Sequence, residues 1–239
     1  MPTTLRKQRA IQAREELILD HAAVLLGENG YLGLNLDELA ARIEYAKGTI
    51  YLHFASKEDL LLGVVIRAVE DRARLFRHAS RYPGLTREKC CAVGIADLIL
   101  NDRQPHAFEM MQLVSTASVW EKTSQARRTR LKQSSLAIFE PVLGIVREAL
   151  LAGDIRRKDV PAEHIALGLF TMSKGAMLIQ SGGDAFPAEF VTGVRESIQL
   201  NRHRFLDGVQ WHPLLEDHDY ASVERNLRDH YFNSPLSEL

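Results

Sequence analysis

Asn35-Leu36-Asp37-Glu38-Leu39-Ala40, then Lys47-Gly48-Thr49-Ile50-Tyr51-Leu52-His53-Phe54, then Ser56-Lys57-Glu58-Asp59-Leu60 is the stretch that decides the fold. Asn35 followed three residues later by Glu38 has the form of a capping box, so the spacing predicts a short helix over 36–43. A break at 44–46 separates it from a second short helix at about 47–54. Ser56 is placed to cap a long helix whose apolar stripe is Leu60, Leu61, Val64, Val65, Ala68, Val69 and Phe76. Upstream, Leu17, Ile18, His21, Ala22, Leu25 and Leu26 recur at three- and four-residue spacing, and Gly30 is placed to end that helix. Two short helices joined by a tight turn, with a helix on either side, form a helix-turn-helix. Its second short helix is the element shaped to enter a DNA major groove.

Beyond Pro83-Gly84, the first strong break, the spacing predicts helices at about 86–101, 106–121, 124–152, 162–180, 188–206 and 220–231. Pro105, Pro161 and Pro187 sit at or just before helix starts, where proline is tolerated, whereas Pro141 falls inside a helical pattern and should kink it. No strand-like alternation stands out, and the predicted fold class is all-α. With 46% hydrophobic and 26% charged residues the chain has the balance of a soluble globular protein. Its apolar runs are too short to span a bilayer, so no membrane association is expected. The polar, basic N-terminus lacks an apolar signal core, and Cys90 and Cys91 are adjacent, which disfavours a disulfide. These features predict a reduced, cytoplasmic protein, its two cysteines either buried or poised to sense oxidants. Net charge is −1 but uneven: residues 1–14 carry Arg6, Lys7, Arg9 and Arg14 without an acid, residues 121–135 are also basic, and residues 215–239 are acidic.

The stretch quoted above resembles the DNA-binding domain of TetR-family transcriptional regulators over about residues 10–65, in Gly30-Tyr31, in Leu39-Ala40 and above all in the run from Lys47 to Phe54 with Lys57. The resemblance implies DNA contacts, mostly to the backbone, from Lys47, Thr49, Tyr51, His53 and Lys57; Asn35, Gly48 and Leu52 complete the candidate set. The residue chemistry suits this role. Gly48 permits close approach to a groove, Thr49 and Tyr51 offer hydroxyls, and Lys47 and His53 offer donors. Lys57 places a cation in the first turn of a helix, where it opposes the macrodipole unless a phosphate reverses the sign. The sequence departs from the family at the turn, where Glu44 replaces the usual glycine and Ala46 the usual Ser/Thr cap. Either the turn has a different shape, or Glu44 reads a cytosine amino group.

The expected organisation is a helix-turn-helix domain over 1–80, a helical ligand-binding and dimerisation domain over 85–206, and an extension over 207–239. Phe108, Met111, Trp120, Phe139, Phe170 and Met177 are candidates for an adaptable apolar pocket, with plain core packing as the alternative. Gly168 and Gly175 on one helix and Phe190, Val194 and Ile198 on the next are candidates for a homodimer interface, or else for intramolecular core. In the extension Tyr220, Val223, Leu227 and Tyr231 share one helical face, which predicts a docked helix; a free acidic tail is the alternative. No metal pair is spaced on a helix, no cofactor motif is present and no nucleophile–base spacing stands out, so no metal site, cofactor or enzymatic activity is expected. The resemblance implies a homodimeric repressor that binds a palindromic double-stranded DNA operator and is released by a small-molecule effector. The alternative is a small-molecule-binding protein of the same fold with weak or lost operator binding.

Overall fold

The computed structural model describes residues 2–233. Helix α1 (Pro2–Gly33) buries Ile18, Leu19, Ala22, Leu25 and Leu26. Its regular geometry breaks at Gly30, whose φ of 65° lies in the left-handed region that glycine enters without steric cost. Helix α2 (Leu36–Arg42) starts at Asn35, whose side chain accepts from the Asp37 N–H at 2.8 Å, while Glu38 turns to pair with Arg42. The turn that follows keeps a left-handed residue although no glycine is present: Glu44 has φ 57°. That conformation costs an L-residue about 1–2 kcal/mol. Helix α3 (Lys47–His53) begins at Ala46 with no side-chain cap and is anchored by Ile50 and the adjoining Phe54, both buried. Ser56 Oγ then accepts from the Asp59 N–H at 2.9 Å and opens α4 (Lys57–Ala79).

The chain continues through α5 (Thr86–Arg103), α6 (Ala107–Val114), α7 (Ala117–Trp120), α8 (Gln125–Ala152), α9 (Ala162–Ser181), α10 (Ala188–Gly208) and α11 (Tyr220–Asn226). A π-helical turn, Leu227–Tyr231, follows α11. The fold is all-α; among the described residues the extended pairing is a single bridge between Ile155 and Trp211. The helix expected over 106–121 is two helices. Ser115 and Thr116 donate their hydroxyls to the carbonyls of Met111 and Leu113, the local competition that ends a helix. No helix among the described residues is long and apolar enough to cross a membrane.

Two compact units result. The first comprises the residues up to Ala68 together with Glu109–Lys132; the second comprises Val69–Phe108 and the chain from Gln133 onward. This division differs from cuts near 80 and 207, because side chains far apart in sequence close the first unit. Ser56 Oγ donates to the Lys122 carbonyl at 2.8 Å, and Lys122 Nζ lies 2.9 Å from Glu58.

The extension from residue 207 is part of the second unit, and its last six residues, 234–239, lie outside the described residues. Trp211, Tyr220, Leu227 and Phe232 are buried. Trp211 Nε1 donates to Thr86 Oγ1 at 2.9 Å. The anchor is charged: the wholly buried Arg87 of α5 donates to Asp207 Oδ1 at 2.7 Å and to the carbonyls of Trp211, Pro213 and His203, and its guanidinium lies 4.9 Å from the Tyr220 ring centre. Removing one member of such a buried pair strands the others. Arg87→Ala should therefore lower stability by about 3 kcal/mol or more, and trypsin should then cut quickly after Arg225 and Arg228. Equilibrium denaturation and limited proteolysis measure this; unchanged resistance would mean that the tail docks without this anchor.

Candidate nucleic-acid interface and buried cavity

Ile50 and Phe54 hold one side of α3 in the core, which leaves Lys47, Gly48, Tyr51 and Leu52 together on its outer face. Leu52 is 86% exposed and Tyr51 50%, an unusual position for large side chains without a partner. A Cβ at Gly48 would meet nothing within 4 Å, so the outer surface there is open. Lys47 Nζ lies 2.9 Å from Asp37 Oδ2, and that hydrogen bond raises the pKa of the lysine. Thr49 is half-buried, and Asn35 stays exposed while its side-chain oxygen caps α2. His53 and Lys57 are held differently. The His53 side chain is turned into packing, with Nδ1 3.9 Å from Glu15 Oε2 and its ring beside Phe54. Lys57 Nζ lies 4.7 Å from the Tyr31 ring centre and donates to the Leu32 carbonyl at 3.4 Å. These two partners offset the opposition between Lys57 and the dipole of α4.

Behind α3 lies an ion cluster that local sequence patterns do not reveal. Arg127, at the start of α8, donates to Asp59 Oδ2 at 2.8 Å, to Glu15 Oε1 at 2.7 Å and to the His53 carbonyl at 3.2 Å. Its guanidinium stands 4.3 Å from the Phe54 ring centre. Asp59, 1% exposed, also accepts the backbone N–H groups of Ala55 and Ser124. The only sequence signal for Arg127 was its membership of the basic run 121–135.

The second unit contains an apolar cavity between α4, α5, α8, α9 and α10, with about 570 Å³ of empty space including its open mouth. Phe76, Val93, Ile138, Phe139, Val142, Leu169 and Phe170 form its apolar wall; Arg72, Asp97, Ser173, Lys174 and Arg202 are its polar and charged groups. Arg72 Nε lies 2.9 Å from Asp97 Oδ1, and Ser173 Oγ donates to Asp97 Oδ2 at 2.8 Å. Lys174 Nζ is 5.2 and 5.3 Å from the ring centres of Phe108 and Phe170. Burial, assisted by Arg72 and opposed by Asp97, pulls the Lys174 pKa down to about 8.

Of the pocket candidates, Phe139 and Phe170 line this cavity and Phe108 meets it through Lys174. Met177 is buried beside a smaller neighbouring cavity, and Met111 and Trp120 belong to the first unit. Of the interface candidates, Val194 and Ile198 are buried within the chain. A Cβ at Gly168 would come within 2.6 Å of Phe205, so Gly168 lets α9 and α10 approach each other. Gly175 and Phe190 remain exposed, as do Leu167 and Leu178. Cys91, His203 and Glu224 bring one donor atom each within 4.8 Å of one another, a grouping drawn from three helices that helical spacing could not show. Burial pushes both thiols up, Cys90 to about 11, so they stay protonated at neutral pH.

The packing of α1, α2 and α3 with this exposed face is that of a helix-turn-helix protein. Residues 18–64, the helix-turn-helix segment, match the model of the bacterial regulatory proteins of the tetR family. The fatty acid metabolism regulator protein of Bacillus subtilis (strain 168) is 40% identical over 47 residues, 20% of this chain and 24% of that protein. The chain spans about a fifth to a quarter of the length of the curated relatives it matches. Among solved structures, FadR from Bacillus subtilis in complex with stearoyl-CoA is similar with a TM-score of 0.60 and 19% identity, over 77% of this chain and 96% of that one. A TetR/AcrR-family regulator from Thermobifida fusca YX-ER1 is similar with a TM-score of 0.62 and 22% identity, over 82% of this chain and 98% of that one. At these identities the likeness is one of fold.

The lowered pKa of Lys174 has a consequence for stability. The group ionises near 8 when folded and at its ordinary 10.5 when unfolded, so between these values the unfolded chain binds the extra proton. The charge therefore destabilises the fold fully below pH 8, and the penalty is relieved as pH rises towards 10. Lys174→Met should stabilise the protein at pH 7 by about 2–3 kcal/mol. Its advantage over the wild type should shrink between pH 8 and 10 in urea denaturation. A constant advantage across that range would mean that Lys174 keeps its proton in the fold.

Proposed function

We propose that the protein is a homodimeric transcriptional regulator, a repressor that binds a palindromic DNA operator through α3 and is released by a small-molecule effector in the cavity of the second unit. The carrying observation is the outer face of α3, where Lys47, Gly48, Tyr51 and Leu52 are exposed together on a helix too short to be stable alone. The tetR-family match of residues 18–64 supports this reading, as does a structure of the same fold that holds stearoyl-CoA. Dimerisation supplies the two half-sites, and the exposed face with Leu167, Gly175 and Leu178 on α9 and Phe190 on α10 is suited to a second copy. Release is a population shift: Asp59 and Phe76 share α4, and Arg127 and Phe139 share α8. A ligand that alters the packing of these helices around the cavity changes the preferred state of the helix-turn-helix. This reading places the protein in the cytoplasm and assigns it no catalytic step.

Footprinting of purified protein on genomic fragments tests the reading and supplies the operator. On that fragment Lys47→Ala should weaken binding to specific and random DNA about equally and reduce the salt slope by about one unit. An unchanged slope with intact folding would remove Lys47 from the interface. Gly175→Leu, at a position with free space around it, should shift the protein towards monomer in sedimentation and abolish cooperative operator binding; a persisting dimer would place the interface elsewhere. A second reading, a ligand-binding protein with weak or lost operator binding, is favoured by the left-handed Glu44, the uncapped start of α3 and the intramolecular partners of Lys47 and Lys57. Absence of salt-dependent binding to any fragment would select it.

A further inference from the structure

The cavity of the second unit contains a guanidinium that has no acid partner among the described residues. Arg202 of α10 is 6% exposed, and its Nη1 is sealed from solvent with no hydrogen-bond acceptor. Among the described residues it forms no ion pair with a carboxylate. Its head lies against α5 where Gly94 makes room: a Cβ at Gly94 would collide with Nη1 and Cζ of Arg202. Arg72 and Lys174 line the same cavity, so three cationic side chains face one lining carboxylate, Asp97. Asp97 is already engaged by Arg72 and Ser173. A guanidinium cannot shed its proton on burial, and an unpaired buried charge is the least favourable arrangement for it. An anion within the cavity would remove that penalty, and the planar fork of arginine matches two oxygens of a carboxylate or phosphate. The remaining wall is apolar, with Phe76, Phe139, Leu169 and Phe170 prominent.

We propose that the cavity takes an amphipathic small molecule whose anionic group, a carboxylate or a phosphate, is bound by Arg202 at the Gly94 wall while its apolar body lies along Phe139 and Phe170. This rests on the reading of the cavity as the effector site and adds the chemical class of the effector. Arg72 and Lys174 support the anion by charge, and Arg202 provides the directional contact. A neutral ligand of the same shape would leave Arg202 unpaired and bind more weakly.

Calorimetric titration of the full-length protein with dodecanoate, dodecyl phosphate and dodecan-1-ol tests the assignment, each probe being kept below its aggregation limit. At least one anion should bind about tenfold or more tightly than the alcohol, as expected for a charge-assisted pair. Which anion does so distinguishes a carboxylate from a phosphate. Arg202→Gln should lose that preference, and Arg202→Lys, which keeps the charge without the fork, should restore part of it. Should Arg202→Gln fail to fold, the wild-type preference and its reduction in Arg202→Lys decide the assignment. Equal binding of alcohol and anions, or an anion affinity unmoved by Arg202→Gln, would overturn the anion assignment and leave the cavity as a ligand site. No binding of any probe would overturn both.

Discussion

The guanidinium of Arg127, held between Asp59, Glu15 and the His53 carbonyl, is the constraint on which the candidate DNA-binding surface depends. Helix α3 has seven residues and no side-chain cap, so it has little helical stability of its own. Ile50 and Phe54 fix which side faces inward, and Arg127 fixes where its C-terminal end lies by binding the His53 carbonyl, stacking on Phe54 and joining both to α1 and α4. A cation at the C-terminal end of a helix also faces the favourable end of its dipole. Breaking a buried pair of this kind costs about 3–5 kcal/mol. The exposed positions of Lys47, Tyr51 and Leu52 follow from this arrangement behind them.

Three arginines, two of them buried and Arg127 half-buried, show how differently one chain can treat the same charge. Arg127 has two carboxylates and a carbonyl, and Arg87 has one carboxylate and three carbonyls that lie in or just before the extension. In both cases the charge is satisfied by protein groups, and its effect is to fix the position of a distant segment. Arg202 is buried too, but among the described residues it has no carboxylate partner, and it borders an apolar space. The first two arrangements are structural in character. The third is what a site awaiting a charged ligand requires, because a group satisfied in advance would have nothing left to offer.

The helix-turn-helix keeps its shape despite losing two of the residues that usually make it easy to form. Glu44 takes the left-handed conformation that glycine adopts freely, and Ala46 leaves the first turn of α3 without an N-cap bond. The two losses cost about 1 kcal/mol or somewhat more each. They are offset by tertiary contacts, chiefly the burial of Ile43, Ile50 and Phe54. The turn is thus specified by the packing around it more than by its own residues.

Features governed by interactions within three or four residues were legible in the sequence. Asn35 and Ser56 cap helices, Gly30 breaks one, and the spans of α5, α8, α9 and α10 follow the apolar periodicity closely. The outward-facing residues of α3 were legible only as a set of candidates, since the sequence does not say which side of a seven-residue helix is buried. Tertiary packing turned the His53 side chain inward, set Lys57 over Tyr31 and kept Tyr51 and Leu52 outside. It also joined Arg127 to Asp59 across 68 positions, brought residues 109–132 to the first unit and divided the pocket candidates between the two units. Such pairings lie beyond local rules because propensity and capping act along one turn of chain, whereas a buried charge takes its partner from whichever segment the closed fold sets beside it. The sequence by itself determined the helices and the helix-turn-helix pattern of the short pair among them; the tertiary structure decided which of their side chains face outward and which buried guanidinium has no carboxylate partner among the described residues.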